Sequence, residues 1–195
     1  GVIISEADRL QNLVDRLLAP YRTGRSLSDI NIHEVLERVR QIILAEFPKG
    51  LSFIRDYDVS VPTLRGDREQ LLQVFLNIEK NAAEALDGKI AEGTAEIRVI
   101  TRVAQQVQIG LRRYRLALSI HIQDNGPGVP TEIRDRIFYP LVTGKANGSG
   151  LGLSLAQNFI RQHDGSIDVE SEPGKTDFRI LLPLSPPETG DISPA

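Results

Sequence analysis

Apolar side chains at Ile3, Ala7, Leu10, Val14 and Leu17, then Tyr21, alternate by four and three, the spacing of a coiled-coil seam. Leu13 and Leu18 widen the seam enough for a bundle. The pattern predicts a helix over residues 2 to about 19, kinked or ended by Pro20, then a hinge at Thr23-Gly24-Arg25-Ser26. A seam of this length has nothing to bury against in a lone chain. It pairs with a second copy or with a helix outside this sequence; the plain alternative is a helix packed on its own domain.

From Ile30 the periodicity becomes that of a compact α/β domain. Ile30-Asn31-Ile32 reads as a short edge strand, and His33 to about Phe47 as a helix with Leu36, Val39, Ile43 and Leu44 inward. Leu51 to Val61 alternates as a strand and stops at Pro62. Asp67 caps the next helix, with Gln70 three residues on as in a capping box, and Leu71, Phe75, Ile78, Ala82 and Ala85 form its inner stripe. Ala95–Val103 and Arg115–Gln123 are alternating strands joined through a turn at Gly110. Thr131–Phe138 reads as a short amphipathic helix, and Leu151–His163 as the last helix, closed by Gly165. Ser166–Glu170 and Phe178–Leu182 form a hairpin across Pro173-Gly174. The pattern predicts a two-layer α/β sandwich, one mixed sheet under three helices. Its divisions are a helical segment at 1–22, a linker at 23–30, a globular domain at 31–185 and a disordered tail at 186–195.

Composition narrows this little. With 41% apolar and 25% charged residues, the 195-residue chain is a soluble globular type. A net charge of −3 argues against a nucleic-acid binder. The absence of Cys removes disulfides, thiolate nucleophiles and cysteine metal sites. No apolar run approaches the ~18 residues of a membrane span and no signal peptide is visible, so a cytoplasmic location is expected. The first residue is Gly and Met is absent, which reads as a piece of a longer protein.

Three stretches carry the candidate chemistry. Gly148-Ser149-Gly150-Leu151-Gly152 runs straight into a helix, offering unpaired N–H groups at the positive end of a helix dipole, a site suited to phosphate. Asp124 continues the face of Leu116, Leu118, Ile120 and Ile122, so its carboxylate is directed towards the apolar layer. That is costly unless a donor meets it, and the exocyclic amine of adenine is one. Gly126 and Gly128 remove side chains where a flat ring must approach backbone. Asn77 and Asn81 lie one helical turn apart, flanked by Lys80 and Glu84, and their carbonyl oxygens suit Mg²⁺. Each stretch has a plain structural reading by itself: a glycine cap, an Asn-Gly turn, two solvated amides. Their combination points to one nucleotide.

In this order the stretches resemble the nucleotide-binding domain of the Bergerat, or GHKL, fold. That domain is shared by histidine kinases, gyrase-type topoisomerases, MutL and heat-shock chaperones. The match runs from about Asn31 to Leu184 and is most similar to two-component sensor histidine kinases. It includes Asn77 to Ala82, Asp124 to Gly128, the aromatic box Phe138-Tyr139-Pro140 and Gly148 to Leu153. The hairpin up to Arg113-Tyr114-Arg115-Leu116 and the run Phe138 to Gly144 resemble the nitrogen-regulation branch. The resemblance implies ATP and Mg²⁺ as ligands, with Asn81 holding the metal, Asn77 assisting at the phosphates and Asp124 reading adenine. Lys145 would contact phosphate from a mobile lid, with Gly148, Gly150, Leu151 and Gly152 beside it. It further implies that residues 1–22 are the second helix of a dimerisation domain whose first helix is missing. Implied partners are the phosphoacceptor helices of a homodimer, a response-regulator receiver domain and the PII signal protein.

One position separates kinase from ATPase. The hydrolytic relatives carry Glu four residues before the metal-binding Asn, where it activates water; here that residue is Asn77, whose amide accepts no proton at neutral pH. ATP would therefore await a nucleophile brought from elsewhere. None of His33, His121 and His163 fits the family's acceptor: His33 reads as a capping or surface residue, His121 lies on the sheet's far face, and His163 ends a helix. The fragment is thus expected to be inactive alone. The competing readings are an ATP-driven clamp of the MutL or gyrase type and a nucleotide-binding interaction module without catalysis.

Overall fold

The computed structural model describes residues 2–18, 25–142 and 150–190, and of the first segment the side chains of 5–14. Helix α1 spans Val2–Leu18; Leu10 and Val14 of its seam stand 61% and 44% exposed, so no described residue covers them. The hinge residues Thr23 and Gly24, together with Pro20 and Tyr21, lie outside the described residues.

The domain starts earlier than the pattern suggested. Strand β1, Leu27–Ile30, pairs antiparallel with β3, Leu64–Asp67, which the sequence reading missed. Residues 27–30 are therefore sheet and not linker, and the Ser26 N–H donates to Asp67 Oδ2 at 3.1 Å. Asn31 does not continue the strand; its side chain accepts from the His33 N–H and caps α2, Ile32–Glu46.

A second, five-stranded sheet forms the floor. It comprises β2 (Leu51–Asp56), β4 (Ala95–Ile109), β5 (Arg112–Asp124), β6 (Ser166–Glu172) and β7 (Lys175–Pro183), in the order β2-β4-β5-β7-β6. Only β2 and β4 run parallel, so the sheet is mixed as expected. Ile97, Val99, Leu118, Ile120, Ile122, Phe178 and Ile180 point from one face into the core, and meet α2, α3 (Arg68–Ala85) and α5 (Gly152–Gln162). Each such side chain contributes roughly 1.5–3 kcal/mol by leaving water.

Two elements differ from expectation. Thr131–Phe138 forms only a 3₁₀ turn at Arg134–Arg136, from which Ile137 is buried and Ile133 and Phe138 pack part-buried against the core. A short α4, Asp87–Glu92, follows α3, where Leu86 rather than the exposed Ala85 completes the inner stripe. At the other end of the sheet, Gln106 adopts φ +52° and drops out of the β4–β5 ladder. Beyond that kink Ile109 and Tyr114 pack on Leu181, in a cluster separate from the main core. The chain after β7 stays attached there: Pro187 bridges Tyr114 and the Glu188 N–H donates to the Arg113 carbonyl. These contacts hold residues 187 and 188, which had been expected in a disordered tail; 191–195 lie outside the described residues.

Helices α3 and α5 are tied at their far ends by a buried imidazole. His163 Nδ1 donates to the Phe159 carbonyl at 2.7 Å, leaving Nε2 to accept from the Asp67 N–H at 2.9 Å. Asp67 in turn accepts from the Gln70 N–H, so the first half of the capping box is as predicted and His163 supplies the other. Burial holds the His163 pKa below its usual 6.5. The unfolded chain therefore binds the proton more readily, and His163 contributes stability above pH 6.5 that is lost as pH falls through the lowered folded value. His163→Leu should cost about 1–3 kcal/mol at pH 7.5 by orphaning the Asp67 N–H. The gap to wild type should narrow at pH 5.5, as measured by urea denaturation.

Candidate functional site

The site begins where β5 leaves the core. Asp124 is 7% exposed and on the helix-facing side, as its parity predicted. Its Oδ1 accepts from the Gly126 N–H at 2.9 Å. Burial raises the carboxyl pKa to about 6, against the lowering effect of that hydrogen bond. The following residues are braced from three directions. Asn125 Oδ1 accepts from the Glu96 N–H at 2.8 Å and its Nδ2 donates to the Thr94 carbonyl at 2.9 Å, clamping the turn to the start of β4. The Gly126 carbonyl accepts from Gly174 N–H, and Ser171 Oγ accepts from Val129 N–H at 2.7 Å. Gly128, at φ +89°, lies so close to the Glu172 carbonyl that a Cβ would sit 2.9 Å from its oxygen. A side chain is excluded there on both counts.

Helix α3 forms the wall beside this turn. A Cβ on Gly126 would meet Leu86 at 3.4 Å and the Ala85 carbonyl at 3.6 Å, which places the turn at the helix's last residues. Two turns earlier, Asn77 Nδ2 donates to the Gly152 carbonyl at 3.0 Å, and Gln73 Nε2 donates to Asn77 Oδ1 at 2.6 Å. The span from residue 77 to residue 85 is about 12 Å of helix. Asn81 lies midway and is half-buried. Lys80 points elsewhere, towards Glu46 at 3.8 Å.

The amino end of α5 closes the arrangement. Among the described residues no side-chain cap bond is made at its N-cap Leu151, which is 2% exposed. Its first-turn N–H groups are aimed along the helix axis, where an anion is favoured. Gly150 has φ +71° and a Cβ there would lie 2.5 Å from the Leu141 carbonyl carbon; the Leu141 N–H donates to the Gly150 carbonyl at 2.9 Å. The two ends of the intervening stretch are thus pinned together. Lys145 and Gly148 fall in that stretch, outside the described residues. Of the other predicted residues, Asn77 and Asn81 belong to α3, Gly152 lies against Asn77 and Gly126 against the end of α3, while Gly128 packs on Glu172 and Gly150 on Leu141.

Of the three histidines none is poised as a free acceptor. His33 Nε2 lies 2.8 Å from Thr101 Oγ1 and its half-buried ring stacks on Tyr57 at 4.6 Å. His121 pairs with Asp177 on the opposite face of the sheet. Gln73, Asn125 and Ser171 were not singled out by sequence reasoning, since each acts on a backbone or side-chain group that only the fold brings near.

The segment 66–186 matches the family model for histidine kinase-, DNA gyrase B- and HSP90-like ATPases. The chain belongs to that family. It is closely related to NtrB-type sensor histidine kinases: it is 49% identical over 183 residues to the sensory histidine kinase/phosphatase NtrB of Salmonella typhimurium, covering 94% of this chain and 51% of that protein. The chain thus spans about half the length of the curated relatives it matches. Among solved structures, full-length ShkA in complex with AMPPNP is similar with a TM-score of 0.72 at 24% identity, covering 93% of this chain and 37% of that one. The catalytic domain of the histidine kinase ThkA gives 0.65 at 23% identity, with 81% and 95% covered. These likenesses establish the shared fold. No helix among the described residues is long and apolar enough to cross a membrane.

Proposed function

We propose that this chain is the ATP-binding catalytic part of a sensor histidine kinase, of the nitrogen-regulation type. The observation that carries the reading is Asn77. The residue in the position of a water-activating carboxylate is an amide, and both its polar ends are committed, to Gln73 and to Gly152. No base is present there to deprotonate water, so bound ATP is kept for another nucleophile.

The residues fit the nucleotide in kind. The buried Asp124 carboxylate is an acceptor for the adenine amine, and the bare backbone at Gly126 and Gly128 admits a flat base. The 12 Å or so of helix between this turn and Asn77 suits a nucleotide laid lengthwise. Asn81 supplies a carbonyl oxygen for Mg²⁺, a hard ligand for a hard cation. The α5 amino end, Gly148, Gly150 and Gly152 receive the phosphates, and Lys145 adds a cation. Bound Mg²⁺ would offset the phosphate charge. What these residues do is hold and orient the γ-phosphoryl group; its bond to ADP breaks as one forms to a histidine nitrogen, and the phosphoryl group then passes to a receiver-domain aspartate.

The acceptor histidine lies outside this chain. Helix α1, with Leu10 and Val14 exposed, is read as the second helix of a dimerisation hairpin, the first being absent. A homodimer, a response-regulator receiver domain and PII signal protein are the corresponding partners, on the relation to NtrB, and the compartment is the cytoplasm. The test supplies radiolabelled Mg·ATP and a helical hairpin bearing the acceptor from the full-length protein. Label should enter the hairpin and not the chain alone, and Asn81→Ala should abolish transfer. Steady ATP hydrolysis by the chain alone would instead establish the clamp reading. Absence of any label would remove the kinase one.

A further inference from the structure

Helices α3 and α5 run antiparallel and are joined by polar contacts along their length. His163 meets the Asp67 N–H at one end. Gln70 Nε2 donates to Gln162 Oε1 at 3.0 Å one turn on. At the other end, beside the candidate phosphate site, stand Gln73, Asn77 and Gly152. Only this last link touches the α5 amino end.

Its polarity is dictated by the backbone. The Gly152 carbonyl can only accept, so Asn77 must present its amino group to it. Asn77 Oδ1 is then turned along α3 to residue 73, one helical turn earlier, and a donor is required there. Gln73 supplies it at 2.6 Å. The reverse orientation of Asn77 would set its oxygen against the Gly152 oxygen, acceptor against acceptor. The bond at Gly152 uses a carbonyl and so makes no demand on the first-turn N–H groups of α5.

We propose that Gln73 is a positioning residue for nucleotide binding: by donating to Asn77 it holds the amide in the one orientation that fixes the α5 amino end against α3. Gln73 touches neither nucleotide nor metal. Its bond takes up one lone pair of Asn77 Oδ1. The inference rests on the reading of this face as a nucleotide site.

The test is a thermodynamic cycle on Mg·ADP affinity, by calorimetry, with Gln73→Met, Asn77→Ala and the double variant. Each single change should weaken binding about tenfold, and the double should be no weaker than the worse single, since both break one linkage. Gln73→Glu keeps the shape but loses the donor, and should bind as weakly as Gln73→Met. Additive losses, or wild-type affinity in Gln73→Glu, would overturn the proposal. A second readout does not depend on nucleotide. The Asn77 side-chain amide resonances should be slow to exchange with solvent in wild type and fast in Gln73→Met; equal exchange in the two would also overturn it. Failure of wild type to bind ADP, with the exchange difference intact, would count against the nucleotide site and not against the clasp.

Discussion

Asp124→Asn is expected to weaken ADP binding by about ten- to a hundredfold, the worth of one hydrogen bond to a charged acceptor. The larger consequence is in the pH profile. Burial sets the free carboxyl pKa near 6, and only the ionised form is acceptor at both oxygens, one for Gly126 and one for the base. Wild-type affinity should therefore be flat above pH 7 and fall by up to tenfold per pH unit below about 6. Asparagine does not titrate, so the variant should lose that slope. Calorimetric titrations with Mg·ADP at pH 5, 6 and 7.5 on both proteins decide it. A wild type whose affinity is the same at pH 5 and 7.5 would show that the carboxylate does not accept from the ligand. The same shift has a stability counterpart with the opposite dependence. The ligand-free protein holds a proton on Asp124 that the unfolded chain releases near 3.8, so this group's contribution declines as pH rises from there to about 6.

Asp124 was legible from the sequence because strand parity is strict: residues 118, 120 and 122 are core, so 124 must share their side. The cap at Asp67 was legible for a related reason, since its partner Gln70 is three residues away. Legibility fails when the partner is remote. Strands β1 and β3 have four residues each and alternate over too short a stretch to register; what makes them strands is each other, at a separation of more than thirty residues. The aromatic box carries an amphipathic pattern, but Phe138 turns to make an edge contact with Phe178 at 6.3 Å, and the chain uses a 3₁₀ turn to reach it. Gln106 gives no signal at all: a non-glycine residue at φ +52° in mid-strand is favoured only because the hairpin tip beyond it folds onto Leu181.

The same division runs through the site. The glycines announce close approach, and Gly128 and Gly150 both prove to be places where a Cβ would strike backbone. The amides announce polarity without direction. Asn77 and Asn81 look equivalent at helical spacing, yet Asn77 is taken up by Gln73 and Gly152, contacts that depend on where α5 begins, 75 residues later. Asn125 sits inside a motif read for its neighbours, and its own role is to clamp the turn to β4. One signal was present and not used. Residues 75, 78, 82 and 86 mark the inner stripe of α3, and Glu79, four on from Phe75 and three before Ala82, falls in its centre.

Glu79→Leu is accordingly expected to stabilise the protein, and more so as the pH rises. Glu79 is fully buried and neither carboxyl oxygen has a hydrogen-bond partner. Burial, reinforced by the charge of Glu37 across on α2, raises its pKa well above 4.5. Tyr57 also faces this spot, its own pKa raised by burial and by the charges of Glu37 and Glu79, and Glu37 is itself paired with Arg55 and Arg40. In the folded state Glu79 keeps its proton; in the unfolded state it ionises from 4.5 upwards. The unfolded chain thus binds fewer protons over this window. Stability is highest below 4.5 and falls by up to about 1.4 kcal/mol per pH unit until the folded pKa is passed. Leucine is of similar size, needs no partner and does not titrate. The variant should gain on the order of 2 kcal/mol at pH 8 and less at pH 5, and its stability curve should lack the decline. Glu79→Gln, neutral but still without a partner, should remove the slope with a smaller gain. Urea denaturation of the three proteins between pH 5 and 8.5 provides the check. A leucine variant less stable than wild type at pH 8 would mean that the carboxylate is satisfied in its pocket, and that the polar groups of α2 and α3 hold one another there.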